Sequence, residues 1–102
     1  MAKFVVVYKG GQMGETPEEQ EATMNAWMAW FGSMGPAVTD FGNPFGGSTS
    51  LGSDGTRGSA TSELSGYSII ETENLDAAAS LAAGCPNLSS GGSLEIYEAM
   101  PM

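Results

Sequence analysis

The chain has 102 residues, with three basic residues (Lys3, Lys9, Arg57) against twelve acidic ones, no histidine, and a net charge of −9. That balance excludes nucleic acid and anionic membrane surfaces as partners, because both are held by a basic face. The lack of histidine excludes catalytic triads built on imidazole, and the single cysteine, Cys85, excludes an internal disulfide.

The length suits one domain over residues 1–102. No stretch approaches the ~20 apolar residues of a membrane span. The apolar start, Phe4 to Tyr8, is too short for the apolar region of a secretory signal. The expectation is a soluble cytoplasmic protein. Lys3 to Tyr8, with three consecutive valines, predicts a strand central in a sheet. Gly10-Gly11-Gln12-Met13-Gly14 breaks it, and its spacing fits neither the dinucleotide fingerprint nor the Walker loop. The acids that follow, Glu15 to Glu21, would oppose a phosphate there, so the stretch reads as a plain connection.

Thr16-Pro17-Glu18-Glu19 predicts a helix start: threonine caps, proline takes the first turn, and Glu19 completes a capping box. Met24, Trp27, Met28, Phe31 and Met34 then recur on one apolar stripe, with Trp30 on its flank, while Ala22, Ala26, Ala29 and Ser33 fall opposite. Gly35-Pro36 ends the helix. The stripe has two readings, core packing against a sheet and the wall of an apolar pocket, and different positions can serve each. Ala37 to Phe41 predicts a second strand, whose one acid, Asp40, reads either as a strand-end carboxylate or as a pocket group. From Gly42 to Gly58 the chain is glycine- and serine-rich and reads as a long functional or mobile loop, with a loose β-excursion between Asn43-Pro44 and Asp54-Gly55. Arg57, the sole arginine, reads either as a surface partner of the many acids or as a group that grips a carboxylate or phosphate.

Ala60 to Leu64 resumes extended structure, and Ser68 to Thr72 predicts a β-branched strand. Asn74 caps a short helix with Leu75, Ala78, Leu81 and Ala82 on one face, and Gly84 lies at its close. Cys85-Pro86 turns the chain, Asn87 to Gly92 reads as a polar turn, and Ser93 to Ala99 alternates as a last strand. The order β-α-β-loop-β-α-β predicts an α+β, ferredoxin-like fold: a four-stranded antiparallel sheet with both helices on one face. The second face is then bare and partly apolar (Val5, Val7). Two copies meeting there face to face, as a dimeric α/β barrel, would cover it.

Tyr8, Gly35-Pro36, Phe41-Gly42-Asn43-Pro44, Gly66 to Glu71, Asn74 to Ala78, Gly84-Cys85-Pro86 and Gly91 to Ile96 together resemble the YCII-related family, including its DGPF-type members. The resemblance implies a bacterial homodimer of ferredoxin-like protomers with a pocket between sheet and helices. It also implies, for some relatives, a His–Asp pair in that pocket. The corresponding places hold Met24 and Cys85 here, so that dyad is absent. Cys85 reads as a structural cysteine without an imidazole partner. No catalytic residue, metal ligand or cofactor is assigned.

Two functions remain. The first is a small-molecule-binding homodimer whose pocket is lined by Tyr8, Trp27, Met28, Phe31 and Tyr67, lidded by the 42–58 loop, with Asp40 and Arg57 as polar contacts. The second is a non-catalytic acidic module that binds another protein.

Overall fold

The computed structural model describes residues 1–11 and 14–101. Gln12 and Met13 of the predicted glycine-rich connection lie outside the described residues. Ten short elements follow in order: β1 (Ala2–Lys9), α1 (Pro17–Met34), a 3-10 turn (Gly35–Ala37), β2 (Val38–Asp40), β3 (Ser50–Leu51), β4 (Arg57–Gly58), β5 (Leu64–Thr72), α2 (Leu75–Ala82), α3 (Pro86–Ser89) and β6 (Ser93–Ala99). The main sheet has the order β2-β5-β1-β6, antiparallel throughout. This is the ferredoxin-like arrangement predicted from the element order.

Alternation along β1 sorts the sheet's two faces. Phe4, Val6 and Tyr8 are buried, and Val6 and Phe4 pair with Ser68 and Ile70 of β5, which are buried too. Both helices cover this side, since Trp30 and Met34 of α1 and Ala78 and Ala82 of α2 join those strand residues in one core. The odd-numbered residues form the other face. There Val5 lies between Ile69 and Tyr97, and Val7 between Tyr67 and Glu95, on the side away from α1 and α2.

The helix caps form as the sequence dictates. The Thr16 hydroxyl accepts from the Glu19 amide at 3.1 Å, and the Glu19 carboxylate accepts from the amides of Thr16 and Glu15. Asn74 accepts from the Ala77 amide at 2.8 Å. The inward stripe of α1 differs from the one predicted. Trp30, placed on the flank, is only 5% exposed, whereas Met24 and Met28 are 50% and 68% exposed. The stripe is rotated to Trp27, Trp30, Phe31 and Met34. The indole of Trp30 donates to the Leu81 carbonyl at 3.0 Å, which ties α1 to α2 and fixes that rotation.

Other boundaries differ as well. β5 starts at Leu64, earlier than the predicted Ser68, because its first residues pair with the end of β1. The predicted polar turn after Pro86 is the short helix α3, which begins at that proline with Asn87 buried in it. Within 42–58, β3 and β4 make a small hairpin with mostly exposed side chains, held by Gly52 and Thr56 across an Asp54-Gly55 turn.

Candidate functional site

α2 approaches the sheet closely because alanines face it, whereas the bulky aromatics of α1 hold that helix farther off. The resulting gap widens toward the start of α1 into a cleft of about 470 Å³, within the usual range for small-molecule sites. Its apolar walls are Tyr8 from β1, Trp27 and Phe31 from α1, and Phe41 and Pro44 from the segment after β2. The rings meet mostly edge to face. Tyr8 and Trp27 lie 4.9 Å apart at 88°, and Phe31 and Phe41 lie 5.1 Å apart at 89°. That geometry is favoured by the aromatic quadrupole and leaves flat ring surfaces as walls.

Gly42 allows the chain to hug β5 at the rim. Its φ is +75°, and any side chain there would collide with the Tyr67 carbonyl. The Asp40 carboxylate accepts from the Gly42 amide at 2.8 Å, so it shapes this bend. Beyond the bend, Phe45 donates to the Ser65 carbonyl, and Pro44 bridges to Gly66.

The polar groups of the cleft are few and ordered. The Tyr8 hydroxyl donates to Ser68 Oγ at 2.6 Å, and Ser68 donates in turn to the Phe41 carbonyl at 2.7 Å. Burial pushes the Tyr8 phenol up to about 12, so it stays protonated at neutral pH. Asn87, from α3, donates through Nδ2 to the carbonyls of Lys9 and Ser93, which clasps the paired ends of β1 and β6. No Asp, Glu, Lys or Arg belongs to the described lining. Cys85 is buried beside α3, and burial pushes its thiol up to about 11, so a thiolate is not available at neutral pH. Among the described residues, no three potential metal-ligating side chains come together, and no helix is long and apolar enough to cross a membrane.

Of the site residues named from the sequence, Tyr8, Trp27, Phe31 and Tyr67 border the cleft. Tyr67 does so from an unexpected side: its neighbours in β5 face the helices, so its ring lies on the opposite face, stacked on Phe45 at 5.8 Å. Met28 is exposed and is not in the lining, because the rotation of α1 turns it outward. Asp40 is exposed and spends an oxygen on the Gly42 bend, and Arg57 is exposed on the β3–β4 hairpin; neither lines the cleft. The 42–58 loop contributes only Gly42, Asn43 and Pro44 to the rim, so its remaining residues do not form the expected lid.

Sequence reasoning missed Ser68 and Asn87. Ser68 stands among apolar strand residues, and a lone serine at an inward position of a strand was the available signal. Asn87 gave none, because its burial depends on glycines far away in sequence. A side chain at Gly11 would occupy the place of Asn87 Oδ1. Met24, at the place of the dyad histidine implied by the family resemblance, does line the cleft.

No family model matches the chain, and no curated protein matches it. A solved structure does. 5-Chloro-2-hydroxyhydroquinone dehydrochlorinase (TftG) from Burkholderia phenoliruptrix AC1100, in complex with 2,5-dihydroxybenzoquinone, superposes with a TM-score of 0.58. The two are 15% identical over 97% of this chain and 95% of that one. The likeness is one of fold.

Proposed function

We propose that this chain binds a small, largely apolar molecule in the cleft between α1 and the sheet, and that it does so as a homodimer of the YCII-related kind. The observation that carries this reading is the cleft itself: about 470 Å³, walled by four aromatic side chains, with a few buried and fully ordered polar atoms. A ligand that covered these apolar walls would remove them from water, which favours binding. The family likeness of the motifs from Gly66 to Ile96 supports the fold and the placement of the pocket. Neither the Tyr8 phenol nor the Cys85 thiol ionises at neutral pH, so the reading assigns binding and no reaction.

Intrinsic tryptophan fluorescence tests it, since Trp27 stands in the wall and Trp30 behind it. Titration with a panel of small metabolites is expected to quench or shift the emission for at least one compound at micromolar to millimolar concentration. Trp27→Ala is expected to weaken that compound by tenfold or more, in line with loss of a large aromatic contact. If the panel changes nothing in the native protein, the cleft is not a ligand site.

A further inference from the structure

The proton inventory of the cleft specifies its ligand more narrowly. At the buried end, the side-chain donors of Tyr8, Ser68, Asn87 and Ser90 are already committed. Tyr8 gives its proton to Ser68, Ser68 gives its own to the Phe41 carbonyl, and Ser90 gives its own to the Asn87 carbonyl. Both Nδ2 protons of Asn87 go to strand carbonyls. The oxygens keep their lone pairs. Asn87 Oδ1 is the clearest case. The residue is only 5% exposed, its amide is locked in orientation by its two donated bonds, and its oxygen receives no proton from a described residue. It lies over Gly11, where a side chain would otherwise fill the space, and both residues line the cleft. The Trp27 indole and the Tyr67 phenol, both half-buried, and the exposed Asn43 side chain are lining donors with no acceptor among the described residues.

We infer that the cleft selects an uncharged, flat aromatic molecule that donates a hydrogen bond to Tyr8 Oη or Asn87 Oδ1. This rests on the small-molecule reading above and narrows it. The flat walls favour stacking and edge contacts with a ring. An anion would meet acceptors at the buried end, no cation in the lining, and the field of a protein carrying a net charge of −9. A buried ammonium would find no carboxylate partner. A ligand that only accepts would leave Asn87 Oδ1 desolvated and unpaired, which opposes binding.

Three matched probes separate these cases by titration calorimetry at neutral pH: 2-naphthol (donor), 2-methoxynaphthalene (acceptor only) and 2-naphthoate (anion). The expected result is binding of 2-naphthol at least tenfold tighter than either of the others, about the value of a buried hydrogen bond that is made against one left unmade. Tyr8→Phe removes one acceptor and keeps the ring, and it should bring the naphthol-to-ether ratio several-fold closer to one. An ether or a carboxylate that binds as tightly as the naphthol overturns the inference. If all three probes fail while the metabolite panel still perturbs Trp27, the ligand class alone is overturned. Silence in both experiments overturns the pocket reading as well.

Discussion

Two buried ionisable side chains, Tyr8 and Cys85, set how the fold responds to alkali. Burial raises Tyr8 from 10.0 to about 12 and Cys85 from 9.0 to about 11. Both are acids whose neutral form the fold favours, so their contribution is fully present below their unfolded values. Between pH 9 and 11 the unfolded chain loses the Cys85 proton while the folded chain keeps it, and from pH 10 to 12 Tyr8 does the same. Unfolding then releases protons, and stability falls as the pH rises. The urea midpoint is expected to decline from about pH 9 upward, and in Cys85→Ala the first part of that decline should disappear. A midpoint that is flat to pH 11 in the native protein would show that neither group is held neutral. The Tyr8 proton matters to the cleft for the same reason: committed to Ser68, it makes the phenol an acceptor.

At the level of elements, α1 is specified locally at its start and tertiarily along its length. Thr16 and Glu19 satisfy each other's backbone donors in the capping box. Thr16→Ala is expected to cost about 1 kcal/mol in chemical denaturation and to leave the cleft aromatics in place. A loss well above this would mean that the cap also docks the helix. Which side of α1 faces the sheet is another matter. Tryptophan and methionine are both apolar enough for the stripe, and the Trp30–Leu81 hydrogen bond, the ring contact with Tyr8 and the alanine face of α2 go with Trp30 inward and Met28 outward. The same rotation brings Trp27 and Phe31 to the cleft.

At the level of the molecule, the accessible surface is 6908 Å², against about 5,400 Å² expected for a compact monomer of 10.5 kDa. The radius of gyration is 15.0 Å, against about 13 Å for a compact chain of this length. The excess lies in the projecting 46–63 segment and in the uncovered sheet face with Val5, Val7, Ile69 and Tyr97. A standard protein–protein interface takes about 800 Å² from each partner, so a second copy meeting the sheet face would remove the share of the excess that lies there. Light scattering on a size-exclusion column is therefore expected to give twice the chain mass, and Val5→Lys, which puts a charge at the centre of the face, is expected to give the single-chain mass with the fold kept. A native protein that elutes as one chain would end the homodimer proposal.

The sequence by itself determined the order of the main strands and helices, the ferredoxin-like sheet, both helix caps and the aromatic character of the cleft. Each is written in local terms: period-2 and period-3.6 patterning, a capping box, an asparagine cap, and glycines at the breaks. It also brought Tyr8, Trp27 and Phe31 together in one cleft wall, because a strand's inward residues and a helix's apolar stripe must meet across one layer. Only the tertiary structure decided that Met28, Asp40 and Arg57 stand outside the cleft lining, and that Ser68 and Asn87 are part of it. The reason is physical. Rotation about a helix axis, the bend at Gly42 and the clasp of Asn87 on the ends of β1 and β6 are settled by contacts between residues that lie dozens of positions apart, and local pattern carries no trace of them.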